Sequence, residues 1–225
     1  MLTVSDDAVV VELGLHSGRV LCPGCGGRLR PWGWARERVI REGLDTDWAG
    51  RTCRPRRARC VACRATHVLL EVWLAARRAD SAAVIADALE KNIVLGWGHR
   101  RVAVGCGRPA STVRGWLRSF SASAGAIGER FTRLVARDAP DPAVLWPQPA
   151  STTVGGAVSA LMAYAAGLGR RFGQTGTVTW VDAGISRSNG RLFCSSFWSV
   201  GPNTNTPYAR IPLSGKVAGA PATPL

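Results

Sequence analysis

Short apolar runs separated by arginine, glycine and proline dominate the first third of the chain. The run over residues 8–11, followed by Leu13 and Leu15, predicts a strand. Residues 35–41 alternate in part between charged and apolar side chains, and residues 66–70 are again apolar, so both segments also predict strands. This part of the chain is therefore expected to form a small β structure.

Apolar residues recur at helical spacing further along. Asp80 or Ser81 is suited to cap a helix that runs to about Asn92. Helical spacing also continues over residues 121–135. Four prolines then predict a linker: Pro140, Pro142, Pro147 and Pro149.

The last part of the chain is less regular. Residues 150–169 are uncharged but only weakly apolar, which favours a buried packing helix over a membrane span. Residues 177–181 and 191–200 predict a β-hairpin around an Asn-Gly turn. The tail from residue 201 is rich in proline, asparagine and threonine, and is expected to be disordered.

Four of the seven cysteines form two Cys-x-x-Cys pairs, Cys22 with Cys25 and Cys60 with Cys63. Two such pairs can place four thiolates at the corners of a tetrahedron, the arrangement that Zn²⁺ prefers in closed structural sites. We therefore expect a zinc ribbon with these four ligands and a long hairpin or loop between the pairs. Unrelated buried cysteines and a redox dithiol are the alternatives, and His67 is an alternative to one thiolate.

The formal net charge is +14 and the sequence pI is about 11.0. Such a balance favours polyanionic partners, nucleic acid first and an acidic membrane second. Nearly all the basic residues are arginine, however, and a GC-rich genome produces that bias without selection for binding. Charge therefore supports nucleic-acid binding without establishing it.

The densest run of charge lies beside the second cysteine pair. It consists of Arg51, Arg54, Arg56, Arg57, Arg59 and Arg64. These side chains could contact phosphates through bidentate hydrogen bonds, or they could form a solvated hairpin that offsets the negative charge of a four-thiolate centre. The pattern leaves both interpretations open.

Residues 100–120 match a helix-turn-helix pattern. Ala103 allows close approach of two helices, Gly107 allows a tight turn, and Val113 packs the second helix onto the first. The apolar positions of the second helix have i, i+3, i+4 and i+7 spacing: Val113, Trp116, Leu117 and Phe120.

The exposed side of this second helix predicts a DNA contact. The side chains expected to reach bases or phosphates there are Ser111, Thr112, Arg114 and Arg118. Phosphate neutralisation is assigned to Arg100, Arg101 and Arg108. A plain three-helix core that makes no DNA contact is the alternative.

Three segments resemble a known family: CPGCGGRL at residues 22–29, the stretch 57–70 from RARC to THVLL, and TVRGWLR at residues 112–118. The first two are similar to the N-terminal zinc ribbons of bacterial insertion-sequence proteins. The third resembles the helix-turn-helix that follows such ribbons. The resemblance covers about residues 20–120 and implies architecture rather than activity.

The predicted fold class is α+β, in five segments. These are a zinc ribbon over 1–72, a helix-turn-helix domain over 73–122, a helix and proline-rich linker over 123–149, a small helix and hairpin region over 150–200, and a disordered tail over 201–225. The acidic N-terminus lacks the cationic start of a signal peptide. With thiols suited to a reducing compartment, this predicts a cytoplasmic protein.

Transposases of this kind cut DNA with three carboxylates that hold two Mg²⁺ ions. Beyond residue 120 the carboxylates are Glu129, Asp138, Asp141 and Asp182. Only Asp182, beside a predicted strand, lies where a catalytic acid is expected. We therefore expect that the chain is not an enzyme.

The expected function is that of a zinc-dependent DNA-binding protein, either an end-recognition factor in transposition or a transcriptional regulator. Its partners would be double-stranded DNA and a transposase or other protein, with a homodimer left open. The alternative is a zinc-ribbon adaptor that binds proteins and not specific DNA, and a transposase remnant is a third interpretation.

Overall fold

The computed structural model describes residues 1–43, 50–173 and 178–195. Within these ranges the chain is mixed α and β, which confirms the predicted class, and, apart from α1, the strands precede the helices. The elements are β1 (Leu2–Val4), α1 (Ala8–His16), β2 (Leu29–Trp34), β3 (Arg38–Arg41), β4 (Gly50–Cys53), β5 (Arg56–Cys60), β6 (Thr66–Glu71), α2 (Ala82–Val94), α3 (His99–Gly105), α4 (Ala110–Asp138), α5 (Thr153–Arg171) and α6 (Trp180–Ser188). We call residues 1–71 the sheet region and residues 82–195 the helical region.

Four strands of the sheet region form one sheet in the order β1-β6-β5-β2. β1 is parallel to β6, and the other neighbours are antiparallel. β3 and β4 form a separate two-stranded hairpin. α1 packs against one face of the four-stranded sheet, where the apolar cluster includes Leu2, Val11, Leu15, Leu29 and Leu69. The strand predicted over residues 66–70 is confirmed as β6.

The apolar run that predicted a strand over residues 8–15 forms helix α1 instead, so that prediction is wrong. Asp7 caps the helix, because its carboxylate accepts hydrogen bonds from two backbone amides of the first turn. Val11 and Leu15 are buried, whereas Val9 is exposed. A short apolar run fits the period of a strand or that of a helix. Here the Asp7 cap and the burial of Val11 and Leu15, four residues apart, favour the helix.

The helical predictions are confirmed where the apolar period is long. α2 begins after Ser81, whose hydroxyl accepts a hydrogen bond from the amide of Val84. α3 and α4 follow, with Gly107 between them at a φ of 59°. α4 is 29 residues long, because its apolar stripe continues through Ile127 and Phe131.

α2 to α6 share one apolar core. It draws on side chains from all three segments that the sequence predicted over residues 73–200. α5 is the predicted packing helix, and its N-cap hydroxyl belongs to Thr152. No helix in the described ranges is both long and apolar enough to cross a membrane.

The β-hairpin predicted near the C-terminal end is wrong for the described residues, because residues 180–188 form helix α6 and none of the described residues 178–195 forms a strand. Thr179 caps this helix by accepting a hydrogen bond from the amide of Asp182. Asn189 and Gly190, the predicted hairpin tip, adopt left-handed φ values of 55° and 77° and end the helix. The rest of the predicted hairpin and the predicted tail lie outside the described residues.

Asp80 joins the two regions. Its carboxylate accepts a hydrogen bond from Arg41 of β3 at 2.8 Å and another from Arg108, in the turn before α4, at 2.5 Å. The Arg108 and Asp80 side chains are only 1% and 3% exposed. This buried ion pair ties the turn between α3 and α4 to the hairpin of the sheet region.

Candidate metal centre

Two tight turns present the four paired cysteines to one another. In the first turn the Cys22 amide donates to the Gly27 carbonyl at 2.8 Å, and the Gly26 amide donates to the Cys22 carbonyl at 2.9 Å. The second turn joins β5 to β6, and there the Cys60 amide donates to the Ala65 carbonyl at 2.9 Å. The two turns therefore hold the cysteines through the same kind of backbone hydrogen bond.

Each turn has a left-handed residue directly after its second cysteine. Gly26 has a φ of 70° and Arg64 a φ of 63°. Glycine adopts this conformation without a steric penalty, whereas arginine does not. The matching backbone at both positions indicates two copies of one turn geometry, and the second is formed despite an unfavourable residue.

The four sulfur atoms have the spacing of a metal site. All four Sγ atoms lie within 4.8 Å of one another, with Cys22 to Cys63 at 3.8 Å and Cys25 to Cys60 at 3.5 Å. Metal–sulfur bonds of about 2.3 Å in a tetrahedron give sulfur–sulfur distances of about 3.8 Å. The four cysteines predicted as ligands thus come together in a geometry that fits a tetrahedral metal ion.

One glycine makes this approach possible. A Cβ atom added at Gly27 would lie 2.9 Å from the Cys60 Sγ, 2.9 Å from the Ala62 Cβ and 3.3 Å from the Cys25 Sγ. Any larger residue there would push the two turns apart. The glycine pair directly after the first Cys-x-x-Cys turn is the sequence signal for this approach, since glycines there leave the backbone free to aim its amides and sulfurs inward.

The surroundings of the thiols act in opposite directions on Cys60 and Cys63. The Ala65 amide lowers the pKa of the Cys63 thiol, but hydrogen bonds with Cys25 and Cys60, together with burial, outweigh it, so that this pKa is raised. The backbone amide of Cys63, and then that of Ala62, outweigh burial and lower the pKa of the Cys60 thiol to about 7. Metal ligation requires the thiolate. The His67 Nε2 lies 3.4 Å from the Cys22 Sγ, so the ring contacts a ligand sulfur while all four thiols converge on one point. Outer-shell hydrogen-bond partners of metal ligands fix the orientation of those ligands, and His67 is placed to do this for Cys22.

The arginine run beside the second pair divides into members with carboxylate partners and members without. Arg56 pairs with Glu12 of α1 at 2.5 Å, and Arg51 lies 3.7 Å from Glu42. No carboxylate of the described residues pairs with Arg57 or Arg59 in this way. The run is therefore not one uniform solvated surface.

The residues predicted to contact DNA differ in exposure. The exposed ones are Arg100, Arg101, Ser111, Arg114 and Arg118. Thr112 is half-buried. Arg108 is buried and bonded to Asp80, which does not fit the prediction that it neutralises phosphate. Its partner lies in a different part of the chain, so sequence spacing gives no sign of the pairing.

The acids considered as catalytic residues lie outside the cluster of described residues that could hold a metal ion. The Asp138 carboxylate accepts hydrogen bonds from Arg137 at 2.6 Å and from Arg187 at 3.2 Å, and the Tyr164 hydroxyl lies 3.4 Å away. The Asp182 carboxylate accepts from the Thr179 hydroxyl at 2.7 Å. Within the described residues, the four-cysteine cluster is the only group of this kind suited to a metal ion.

Comparison of the chain with protein-family models, with curated proteins and with solved structures gave no match. The fold and the site define an α+β chain whose sheet region holds four clustered cysteines suited to a metal ion.

Proposed function

We propose that this chain is a zinc-dependent DNA-binding protein, acting either in end recognition during transposition or in transcriptional regulation. Zn²⁺ is the proposed ion because four thiolates in a tetrahedron are its preferred structural ligands. Iron also accepts such a set, so elemental analysis distinguishes the two. The ion would be structural, since the four ligands leave no open position for a substrate.

The exposed face of α4 is the observation that carries the DNA-binding proposal. Val113, Trp116 and Phe120 are buried against the other helices, so the opposite side of the same turns faces solvent. Arg114 and Arg118 lie on that side, one helical turn apart. A helix held by its apolar side with arginine and serine outward is suited to enter the major groove.

Residues of α3 extend this basic surface. Arg100 and Arg101 are exposed in its first turn, and the Arg101 guanidinium stacks 4.2 Å from the Trp97 ring centroid. Arginines held in this way lose little freedom when they bind an anion. In the proposed complex these two residues contact phosphates, while Arg114 reads a base.

We also propose that the chain has no catalytic role of its own. Asp138 is engaged by two arginines and Asp182 by the Thr179 hydroxyl that caps α6. Both carboxylates are thus occupied by structural hydrogen bonds. Incubation of supercoiled DNA with the purified chain and Mg²⁺ or Mn²⁺ tests this: cleavage that Asp182→Ala abolishes would contradict it.

A binding titration with selected and scrambled duplexes, at several salt concentrations, tests the main proposal. If Arg114 contacts a guanine through two hydrogen bonds, Arg114→Ala should cost about 1–3 kcal/mol and relax preference at one position. Arg101→Ala should weaken both duplexes alike and reduce the salt slope by about one unit. Arg133→Ala, at an exposed position further along α4, is the matched control and should change neither.

Val113→Asp should abolish duplex binding by disrupting the core between α3 and α4, which makes it the folding control. Equal affinity for both duplexes, unchanged by Arg114→Ala, would contradict the assignment of α4 as the recognition element.

The exposed apolar face of α1 favours a second candidate, the protein-interaction adaptor. Val9, Val10 and Leu13 are 66%, 53% and 56% exposed, and exposed apolar patches commonly mark protein contacts. Sedimentation of the chain and of Leu13→Ser tests this. Self-association that the substitution abolishes, in a chain that binds no duplex at low salt, would favour the adaptor.

A further inference from the structure

The four-stranded sheet has a second face, opposite α1, that carries unpaired cations and an aromatic ring. Directly paired residues on neighbouring strands share a face, and Leu29 and Cys60 pair on the side that α1 covers. The next pair along, Arg30 and Arg59, therefore points to the other side. We call this surface the sheet face, and its residues are Arg30, Trp32, Arg57, Arg59 and Thr66.

The charge arrangement on the sheet face is unfavourable in the free protein. Arg30 and Arg59 lie directly opposite each other on β2 and β5, and like charges in such pairs are destabilising. Arg57, two residues from Arg59 along β5, adds a third positive charge to the same face. Among the described residues none of the three has a carboxylate within ion-pair distance. An anionic ligand would remove this repulsion.

Arg59 is held ready for such a ligand. Its guanidinium lies 4.6 Å from the centroid of the Trp32 ring, and its Nε donates to the Arg64 carbonyl at 3.3 Å. The terminal nitrogens therefore stay available while the side chain is already ordered, which lowers the entropic cost of binding. The Trp32 side chain is 51% exposed, so half of an indole lies open beside three cations.

We propose that the sheet face binds an unpaired nucleic-acid strand. In this arrangement a base stacks on Trp32, and Arg30, Arg57 and Arg59 contact the phosphates on either side of it. Cationic surfaces with exposed aromatic rings bind single strands in this way, because every unpaired base offers a π face. A duplex keeps its base faces stacked inside, so it cannot use Trp32. This site lies in the sheet region and is independent of the role proposed for α4.

A purely electrostatic role is the competing explanation: the arginines would offset the charge of the nearby four-thiolate centre. The two explanations differ over Trp32, because charge compensation does not involve the ring. They also predict different preferred ligands. A surface that acts only as a polycation would bind the more highly charged duplex more tightly, whereas base stacking on Trp32 favours the single strand.

The test is fluorescence anisotropy of the full-length chain with end-labelled 20-nucleotide strands of one mixed sequence, as DNA, as RNA and as DNA duplex. Trp32→Ala is compared with Trp146→Ala, because Trp146 is 49% exposed on the loop between α4 and α5. The double variant Arg57→Gln/Arg59→Gln is compared with Arg36→Gln/Arg133→Gln, which removes two exposed arginines elsewhere. Zinc content and circular dichroism check that each variant is folded.

Loss of one stacked base corresponds to a roughly 5- to 150-fold weaker single-strand affinity for Trp32→Ala, with duplex affinity unchanged and Trp32→Phe largely retaining binding. The Arg57/Arg59 double variant should reduce the single-strand salt slope by about 1.4 units, at about 0.7 per phosphate contact. The RNA and DNA arms identify the natural source of the strand.

Equal single-strand affinity for Trp32→Ala and Trp146→Ala would overturn the proposal, as would equal slopes for the two double variants. A chain that binds duplex through Arg114 but binds no single strand would refute single-strand binding by the sheet face and leave the role of α4 intact. A chain that binds single strands through Trp32 but no duplex would support the sheet face and refute the role of α4.

Discussion

The sheet region and the helical region are stabilised by different means. The apolar cluster beneath α1 is small and includes two of the four clustered cysteines, Cys22 and Cys60. The core of the helical region draws on all five of its helices and is filled by large side chains such as Trp116 and Phe131. Because a small core cannot offset the entropy of ordering its chain, we expect the sheet region, and not the helical region, to depend on a metal ion bound by the four cysteines.

The largest effect that this comparison predicts is that of losing one ligand. Structural zinc sites contribute about 10–16 kcal/mol of apparent binding energy near pH 7, so Cys60→Ser should unfold the sheet region. The helices should remain, as measured by far-UV circular dichroism and by limited proteolysis followed by mass spectrometry. Cys194→Ser is the matched control, because the Cys194 thiol donates to the Ala76 carbonyl and a hydroxyl can do the same. A sheet region that stays protected from protease in Cys60→Ser would mean that it folds without the metal site.

The second effect concerns the buried ion pair of the helical region. Asp138→Asn should cost about 3–5 kcal/mol, because it leaves Arg187 buried and uncompensated; the two side chains are each 6% exposed. Chemical denaturation measures the loss, and zinc content should not change. Asp141→Asn, at an exposed position beyond α4, should be nearly neutral. A large loss of zinc in Asp138→Asn would mean that the two regions do not fold independently.

The same pair gives a pH dependence with a definite sign. Burial by itself raises the pKa of Asp138, but hydrogen bonds and charges of Arg137 and Arg187 outweigh it, so the folded pKa lies below the usual value. The pair's stabilisation is therefore complete above the unfolded pKa of about 3.9 and is lost as the pH falls through the folded pKa. The difference in unfolding free energy between the wild type and Asp138→Asn should shrink over that acid range.

The third effect concerns the junction between the two regions, where Asp80 pairs with Arg41 and Arg108. Asp80→Asn should destabilise the turn before α4 by about 3 kcal/mol, because Arg108 is then buried without a counter-ion. The outer partner, Arg41, is 31% exposed and can be solvated. Hydrogen exchange should increase in the turn around Arg108 and at the start of α4, while the cysteine turns stay protected. Faster exchange at the cysteine turns would show that the junction also supports the metal site.

The smallest expected effect is a gain in the stability of the sheet region. Arg64→Gly should stabilise the sheet region by about 0.5–1 kcal/mol, because glycine accepts the φ of 63° without the steric cost that arginine bears. Arg64→Ala removes the same charge but keeps the strain, so it is the matched control and should bring no gain. Denaturation at fixed free zinc measures both. Equal stabilities of Arg64→Gly and Arg64→Ala would mean that the charge of the side chain, and not the backbone conformation, affects stability at this position.

The two regions also differ in how much the sequence could predict. Long apolar periods identified α2 and α4, and the spacing of Cys22, Cys25, Cys60 and Cys63 identified a cluster that forms. Predictions from local patterns were wrong where a pattern fits two structures. The apolar run that ends at Leu15 fits a strand or a helix, and it forms α1. An Asn-Gly pair can form a hairpin turn or end a helix, and here it ends α6.

Tertiary features lay beyond sequence reasoning altogether. The pairing of Arg108 with Asp80 and that of Asp138 with Arg187 depend on which elements meet in space. Such pairs leave no periodic signal, because each partner is fixed by the packing of a different helix or strand. For the same reason the alternation of the arginine run did not reveal which members face α1 and which form the sheet face.

The most direct test of the central claim, that a metal ion holds the sheet region, is elemental analysis of the full-length chain purified without chelator, paired with hydrogen exchange of β5 and β6. We expect one zinc ion per chain, and we expect these strands to lose their protection when a chelator removes the ion while α4 stays protected. Protected strands in a chain that contains no metal would contradict it.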